Sequence, residues 1–502
     1  MTAVSRRRLL QGGTATAVAA AAAAPPFAGF GGLVHAAPRG TVPDVAWEEL
    51  ARGLDGTLIR PEDDGYREWG HPQNLRYDAR RPAGIVVCHT ARDVRTAILW
   101  ARRTGIHPVA RSGGHSYGGY SATRELLVDL GQLNEVRLNR EAGTVTVGAG
   151  ARNSGIYTAL QPYDRALSAG RCPTVGISGL TLGGGFGFSS RELGLTADAL
   201  ERTTVVTAAG NFLTCDEKQH PDLFWACRGG GGGNFGVNTE FTFRTTPVDR
   251  VAVYQLDWKW QDAPAAFAAV QELVLRAPDA LSCRMGGGSA GRTRAEIEER
   301  REVSAIGQFF GTADDLRDLL APVLSAARPK RTLIGDRTFW QAKDFLYHSV
   351  PSDRYAVTSR YLDRPLPPGG VGTFMDAIDA WPGSSNPDGA GIALFAWGGA
   401  IAEVGPRETA FIHRSARFLL AAETTWAGQD DPALVAANLR WLHELSHALD
   451  SYGNGQAYQN FIDPALRDWR RAYYGANYPR LAEVKRRYDP QNLFCFDQSI
   501  TG

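Results

Sequence analysis

The chain has 502 residues, too long for a single ordinary domain, and its 43% hydrophobic and 21% charged residues are typical of a globular protein with a sizeable core. Lysine and arginine number 54 against 53 aspartates and glutamates, so no basic field points to nucleic acid or an anionic membrane surface. Glycine is unusually frequent, with 57 residues that cluster at Gly170–Gly187 and Gly229–Gly233. Such clusters indicate backbone that approaches something closely.

The N-terminus has the pattern of an export signal. Arg6 and Arg7 precede a weakly apolar, alanine-rich run that ends at two prolines, and residues 34–36 offer a cleavage site with small residues. This resembles a twin-arginine signal over residues 1–36. The alternative is a membrane anchor, but the run is too short and too weakly apolar to span about 30 Å. We therefore expect secretion by the twin-arginine export machinery, without stable membrane insertion.

The first half of the chain predicts mixed helices and strands from residue 84 onward. Thr90 is suited to cap a helix and Gly105 to end it. The pattern predicts the strand Gly84–Cys88, the helix Ala91–Arg103, and strands at His107–Arg111, Leu126–Leu130 and Thr144–Val147.

A second region begins near Val251. Its apolar spacing predicts the strand Val251–Leu256, the helix Ala263–Leu275, the strand Val303–Phe310, and helices at Ala313–Leu324, Pro432–Leu449 and Tyr478–Tyr488. Proline and glycine predict loops over residues 365–370 and 382–387. The alternation of elements along the chain favours the α+β class.

One helix carries a short zinc-protease pattern. His443, Glu444 and His447 have the H-E-x-x-H spacing, which places both histidines on one helix face. No third ligand follows at a recognised spacing, so we expect surface histidines and no metal site.

Gly231, Gly233 and Gly236 match the dinucleotide-binding spacing, which needs a strand before it and a helix after it. Here residues 221–227 look helical and residues 237–243 alternate as a strand does, so the order is reversed. We reject a nicotinamide site and leave open a tight turn or a turn that faces a cofactor.

Two glycine-rich loops each contain one reactive side chain. The loop Arg111–Gly119 follows a predicted strand, and its backbone N–H groups can converge on an anion such as a pyrophosphate, with His115 at the centre. Cys172 lies near the start of the second loop, Gly170–Gly187, where a reactive thiol beside a ligand and a buried thiol are both consistent with the pattern. The other five cysteines are expected to be mostly buried thiols.

Together these motifs closely resemble the berberine-bridge-enzyme-like group of the vanillyl-alcohol-oxidase flavoprotein family. The resemblance rests on RSGGHSYGGYS (111–121), GRCPTVGISGLTLGGGFG (170–187), PDLFWACRGGGGGNFGV (221–237) and YPRLAEVKRRYDPQNLF (478–494). It implies a two-lobed PCMH-type FAD-binding domain over residues 45–248. It also implies a substrate domain over residues 249–450, with an antiparallel sheet backed by helices, and a segment 451–502 that returns to the FAD domain.

The resemblance also implies how the cofactor is held. The residue matching His115 bonds the flavin 8α carbon, and the one matching Cys172 bonds C6, so the FAD is attached twice. The other residues we assign to cofactor binding are Arg111, Ser112, Gly113, Gly114, Ser116, Val175, Gly176, Gly179, Gly183, Gly184, Gly185, Gly236, Val237, Asn460 and Asn492.

A catalytic base is implied by Tyr458 and Asn460, which match the Tyr-x-Asn element of the family. Free tyrosine has a pKa near 10, so a base that works near neutrality needs a cation or hydrogen-bond partner. Relatives often carry a polar helper at the position we align with Phe395. Either Trp397 or Tyr361 approaches the site instead, or Tyr458 works with different help.

The resemblance implies an FAD-dependent oxidase that acts on a hydroxyl- or amine-bearing small molecule of sugar, alkaloid or polyketide type. In the family, valine at the position of Val175 goes with oxidases, so molecular oxygen is the expected acceptor and hydrogen peroxide the product. The alternatives are a dehydrogenase that uses another acceptor and a flavin-loaded binding protein without turnover.

Overall fold

The computed structural model describes residues 42–347 and 351–502. The predicted export signal at residues 1–36 lies outside these ranges. Within them, none of the helices combines the length and the apolar character that crossing a membrane requires. The six cysteines all fall in the described part and are free thiols, and those at positions 88, 215, 227 and 283 are buried, as expected.

Helices and strands alternate irregularly in the first half of the chain. In chain order they are α1 Asp44–Arg52, β1 Thr57–Ile59, α2 Tyr66–Gly70, β2 Gly84–Val87, α3 Ala91–Thr104, β3 Pro108–Arg111, β4 Leu126–Asp129, β5 Val136–Asn139, β6 Thr144–Gly148, α4 Asn153–Leu160, β7 Arg165–Ala166, α5 Ile177–Leu182, α6 Ser190–Leu193, β8 Leu200–Val206, β9 Phe212–Cys215, α7 Pro221–Ala226, β10 Val237–Arg244 and β11 Thr246–Pro247.

The second half continues with longer strands. They and the helices between them are β12 Arg250–Trp258, α8 Ala263–Arg276, β13 Arg284–Ser289, α9 Arg294–Glu299, β14 Glu302–Phe309, α10 Ala313–Ala326, β15 Arg331–Thr338, α11 Phe339–Phe345, β16 Arg354–Leu362, α12 Pro368–Asp379, β17 Ala390–Ala396, α13 Ala400–Glu403, β18 Phe418–Trp426, α14 Pro432–Asp450 and α15 Tyr478–Tyr488.

Two sheets build the two lobes of the first half. One has the strand order β1-β2-β4-β3, with parallel pairing around β4, and the other is antiparallel with the order β5-β6-β10-β8-β9. Every residue of β2 and β4 is buried, as in parallel strands that are covered on both faces. The fold class is therefore α+β, as predicted.

Helix α3 illustrates how local sequence sets these elements. The Thr90 side chain accepts a hydrogen bond from the backbone nitrogen of Asp93, and the Asp93 carboxylate accepts one from the backbone nitrogen of Thr90. This reciprocal cap satisfies two N–H groups that have no partner inside the helix. Gly105 ends the helix at φ 75°, a left-handed conformation that glycine adopts without strain. The predicted cap and end are confirmed.

A single antiparallel sheet dominates the second half, with the strand order β15-β12-β14-β13-β17-β18-β16. One face packs against helices α8, α10, α12 and α14, where buried strand residues such as Met285, Leu394 and Leu420 contact apolar residues of the helices. Side chains alternate between the two faces of a strand. The residues between these positions therefore face away from the helices.

Several features of the second half differ from the sequence-based expectation, and the strands β15, β16, β17 and β18 were not predicted. Helix α12 begins at Pro368, inside the predicted loop 365–370, because proline is well accommodated in the first helical turn. The strand β13 was not predicted, since three of its six residues are Gly286, Gly287 and Gly288, and glycine disfavours strands.

Candidate active site

A cavity of about 880 Å³ lies between the glycine-rich loops and the second-half sheet. It approaches the upper end of the roughly 300–1,000 Å³ range of ligand pockets. The predicted site residues on its wall are Ser112, Gly113, Gly114, His115, Ser116, Cys172, Val175, Gly176, Gly179, Gly236, Val237, Tyr458 and Asn460.

Glycine allows the two reactive loops to meet. A Cβ atom at Gly113 would lie 2.3 Å from the backbone nitrogen of Gly176, and one at Gly176 would lie 2.2 Å from Ser112 Oγ. Neither position can carry a side chain, so the backbones pack directly against each other. This contact brings together two segments that are about 60 residues apart in the sequence.

Thr174 links the two side chains predicted to hold the cofactor. Its Oγ1 lies 2.9 Å from His115 Nε2 and 3.6 Å from Cys172 Sγ. Sequence reasoning missed Thr174, because its role depends on the approach of the two loops. Burial, and then the charge of Arg152, lowers the pKa of His115 to about 4. The imidazole is therefore neutral at pH 7 and keeps a nitrogen lone pair.

Tyr458 is fully buried by protein except toward the cavity. Its hydroxyl oxygen accepts hydrogen bonds from the backbone N–H of Gly185 and from Nδ2 of Asn460, both at 3.0 Å. Burial raises the pKa of Tyr458 above its usual value near 10, and the two donated hydrogen bonds act in the opposite direction. Because both bonds are accepted by the oxygen, the hydroxyl proton is free to point toward a ligand.

Gly183, Gly184 and Gly185, which the sequence predicts to bind the cofactor, do not line the cavity. A Cβ at Gly183 would lie 2.1 Å from Asn460 Oδ1, and one at Gly184 would lie 2.7 Å from the Phe411 ring. These glycines instead make room for the protein groups that surround Tyr458, and Gly185 supplies one of its donors.

Arg111 and Asn492, also assigned to the cofactor from the sequence, likewise do not line the cavity. The Arg111 guanidinium pairs with Asp129 at 2.8 Å and donates to backbone carbonyl groups of residues 69–71. Asn492 is exposed and has a positive φ of 52°, which asparagine tolerates well in a turn. The contacts of Arg111 and the backbone conformation of Asn492 therefore give each residue a structural role.

Phe395 does face the cavity, where its ring packs edge-on against Phe186 at a centroid distance of 5.2 Å. Trp397 and Tyr361, the two alternatives, are buried outside the cavity wall. The indole N–H of Trp397 donates to the carbonyl of His413 at 2.8 Å. Tyr458 is therefore accompanied by Asn460 and a backbone N–H, and by no polar side chain at the Phe395 position.

The sheet wall of the cavity carries charged residues that sequence reasoning did not identify. Arg284, Phe395 and Glu423 project from three strands of one sheet face, and Arg171 comes from the loop before Cys172. Burial raises the pKa of Glu423 to about 7 against the opposing effect of Arg171. No local motif marks these residues, because the sheet register alone brings them together.

Two alternative sites were considered from the sequence. In the described ranges, no cluster of three or more His, Cys, Asp or Glu residues is arranged to hold a metal ion. His443 and His447 are neighbours on α14, and His447 pairs with Asp450 at 3.3 Å. The G-x-G-x-x-G segment follows helix α7 and precedes strand β10, which confirms the reversed order.

The cavity suits a cofactor of the size of FAD. Gly179 lies on its wall, and a Cβ there would meet nothing within 4 Å, so any side chain would project into the open space. His115 and Cys172 also line the cavity, and histidine and cysteine are the residue types that form bonds to a flavin ring. The residues present therefore fit the group that the sequence implies.

Comparisons with known proteins agree with this site. A family model for an FAD binding domain matches residues 82–216, and a berberine and berberine-like model matches residues 457–501. The FAD-linked oxidoreductase YgaK of Bacillus subtilis is 32% identical, over 89% of this chain and 97% of that protein.

Two further relatives extend the comparison. The glucooligosaccharide oxidase of Sarocladium strictum is 30% identical, over 92% of this chain and 97% of that protein. The solved structure of BBE-like 1 from Physcomitrella patens is 30% identical, covers 91% of this chain and 98% of its own, and superposes with a TM-score of 0.82. The chain therefore belongs to the berberine bridge enzyme-like family of FAD-linked oxidoreductases.

Proposed function

We propose that this oxidoreductase is a secreted oxidase whose FAD is bonded both to His115 and to Cys172. The substrate is a hydroxyl- or amine-bearing small molecule of sugar, alkaloid or polyketide type. Two electrons and two protons leave the substrate, which becomes a carbonyl or imine, and O2 accepts them to give hydrogen peroxide. Bound FAD supplies the two-electron redox chemistry at this site.

The observation that carries the proposal is the pair of contacts made by Thr174. The flavin 8α carbon and C6 belong to the same benzenoid ring, so the two side chains that would bond them must lie near each other. One hydroxyl oxygen contacts both His115 Nε2 and Cys172 Sγ, at 2.9 and 3.6 Å. A neutral imidazole at His115 supplies the lone pair that bond formation needs.

Tyr458 is the group that takes the substrate proton. Its oxygen is held by Gly185 and Asn460, and both donors stabilise negative charge on that oxygen. Cavity burial opposes ionisation in the free protein. Substrate binding must therefore supply the remaining stabilisation, or the proton must move as the substrate is oxidised.

The family resemblance also divides the chain into domains. Residues 45–248 form the FAD-binding domain and residues 249–450 the substrate domain, and residues 451–502 return to the first. In support, Lys485 Nζ donates to the carbonyl of Asn234 at 2.8 Å, and Tyr458 reaches Gly185. The C-terminal segment thus contributes the proposed base, Tyr458, to a cavity that the glycine-rich loops of the FAD-binding domain also line.

The test is an anaerobic screen of alcohols, sugars, amines and polyketides with the purified holoenzyme. Loss of the oxidised flavin absorbance identifies a substrate, and oxygen consumption with peroxide formation on admitting air identifies an oxidase. Reduced flavin that persists in air would assign the enzyme as a dehydrogenase. Reduction by none of the compounds would favour a flavin-loaded binding protein.

A further inference from the structure

Two arginines on the cavity wall lack the partners that buried arginines have elsewhere in this chain. Neither Arg171 nor Arg284 makes a side-chain hydrogen bond or has a carboxylate oxygen within 4.0 Å among the described residues, and Arg284 Nε is buried without a partner. In contrast, Arg111 pairs with Asp129, and Arg414 pairs with Asp198 at 2.7 Å. Both side chains are partly exposed toward the cavity, so an anionic ligand that enters it can supply the missing partner.

The local charge balance favours an anion as that ligand. Burial, and then repulsion from Arg284, lowers the pKa of Arg171 only to about 10, so its guanidinium stays positive at pH 7. Arginine side chains keep their charge in proteins, so Arg284 contributes a second positive group. Glu423 is a cavity carboxyl group whose charge acts on both arginines, and its pKa of about 7 leaves it partly neutral at pH 7. Glu302, the other carboxylate that acts on Arg284, is exposed.

The sheet leaves space in front of the arginine pair. In the register, Gly286 stands opposite Ala393, and Gly391 stands opposite Glu423, all on the face that lines the cavity. Small residues at neighbouring positions of β13 and β17 form a shallow floor that a ligand can lie against. The same face therefore offers both the positive charge and the room for a planar anionic group.

The arginine pair is also within reach of the proposed base. The Arg284 guanidinium carbon lies 6.0 Å from the centroid of the Phe395 ring, and Phe395 packs on Phe186, whose ring lies 5.4 Å from that of Tyr458. The rings of Phe395 and Phe186 thus lie between the arginine pair and Tyr458, and one small molecule can span this distance.

We propose that the substrate carries a carboxylate group, which pairs with Arg284 and Arg171 while the oxidised end lies at Tyr458. This inference rests on the proposed function, because it assumes that the cavity holds the substrate beside the flavin. Arginine forms paired, charge-assisted hydrogen bonds with a carboxylate in a fixed geometry. The site selects acids over their neutral counterparts, whether the rest of the molecule is a sugar or an aromatic ring.

Binding to the oxidised holoenzyme tests the inference without turnover. Benzoate and glucuronate are titrated against the flavin absorbance, with benzamide and glucose as neutral counterparts. We expect each acid to bind at least about tenfold more tightly than its counterpart, as a charged pair in a cavity implies. The substitution Arg284→Gln should remove this preference, and Arg284→Lys should restore part of it. Arg276→Gln, at an exposed arginine of α8, is the matched control.

Three outcomes of the binding experiment would overturn the inference. Equal binding of acid and neutral compounds by the wild type is the first, and a preference that survives in Arg284→Gln is the second. The third is loss of flavin from Arg284→Gln, which would assign the pair to the cofactor. The screen for flavin reduction stays a separate measurement. If wild type and Arg284→Gln oxidise a neutral substrate equally well, the assignment as an oxidase holds and the proposal of a substrate carboxylate fails.

Discussion

The hydroxyl oxygen of Tyr458 lies 3.0 Å from the backbone nitrogen of Gly185, across a separation of 273 residues. This bond fixes the phenol of the C-terminal segment against the second glycine-rich loop. Asn460, two residues later, donates to the same oxygen and also to the carbonyl of Leu180 at 3.0 Å. The oxygen is therefore positioned by groups that have no freedom to move with the substrate.

We expect Tyr458→Phe to keep the flavin spectrum while flavin reduction by substrate slows by about 10²–10⁴-fold, the usual range for a general base. The phenyl ring fills the same space, and the only loss is the oxygen that takes the proton. Stopped-flow reduction without oxygen is the measurement.

Tyr361→Phe is the matched control for that experiment. Tyr361 is also fully buried, and its hydroxyl has no hydrogen-bond partner among the described residues, so removing the oxygen should leave the reduction rate within about twofold. Equal reduction rates in Tyr458→Phe and the wild type would remove Tyr458 from the mechanism.

If the flavin is bonded to both His115 and Cys172, each bond can be tested separately. His115→Ala and Cys172→Ala should each keep yellow colour after acid precipitation, because the remaining bond survives denaturation. The double variant should release its flavin. Mass spectrometry should find one FAD of added mass on the wild type and on each single variant. A colourless pellet from the wild type would refute covalent attachment.

The sequence located the reactive residues but not the groups that arrange them. Clustered glycines around His115 and Cys172 marked both loops, because unusual backbone leaves a local trace. Thr174 left none, since its two contacts exist only once Gly113 and Gly176 have packed together. At Gly183–Gly185 the same glycine signal marks positions whose close neighbours are protein side chains.

The elements of the fold were likewise predicted where the local sequence carries a signal and missed where it does not. Helices with regular apolar spacing, such as the capped α3 and also α15, were predicted with their ends correct to within a residue or so. Strand β13 was missed because glycine has a low strand propensity. In the folded protein its glycines form part of the cavity wall. Arg171, Arg284 and Glu423 come from three separate segments, and only the folded register joins them.

Glu423 predicts a pH dependence of stability. Its pKa in the folded protein is raised to about 7 by burial, with Arg171 and Arg284 opposing and Asp388 reinforcing the shift, whereas a free glutamate titrates near 4.5. Between these values the folded state holds a proton that the unfolded state has released, so the contribution of Glu423 falls as pH rises from 4.5 to 7. Tyr117 and Tyr355, which also sense Glu423, stay protonated throughout this range.

The variant Glu423→Gln should therefore gain thermal stability relative to the wild type across that window, by about 1–3 °C in Tm. Below pH 4.5 the difference should be constant. Glu302→Gln, at an exposed carboxylate of the same sheet face, is the control and should show no such trend. A difference between Glu423→Gln and wild type that does not change with pH would contradict the shifted pKa.

Export through the twin-arginine route predicts that the protein crosses the membrane folded, with flavin attached. Replacing Arg6 and Arg7 by lysine should retain yellow holoprotein in the cytoplasm, because the paired arginines are what that machinery reads. Fractionation of the producing cells with detection of bound flavin is the measurement. Normal secretion of the double-lysine variant would rule out this route.

The last prediction concerns oxygen access at Val175. Its side chain is on the cavity wall, and its carbonyl accepts a hydrogen bond from the backbone nitrogen of Asn153 at 3.0 Å, which fixes the loop. The next residue, Gly176, cannot carry a side chain because a Cβ there would lie 2.2 Å from Ser112 Oγ. Val175 is therefore the side chain of this turn that can control the space beside the cofactor.

Val175→Leu adds one methylene group at that point. We expect reoxidation of the reduced enzyme by O2 to slow by about tenfold or more, equivalent to about 1.4 kcal/mol in the barrier, with flavin reduction by substrate nearly unchanged. Val175→Ala keeps the path open and should reoxidise at least as fast as the wild type. The measurement is stopped-flow mixing of reduced enzyme with dissolved O2. A core-filling valine would give the opposite pattern, in which both variants lose stability and neither changes its reaction with oxygen.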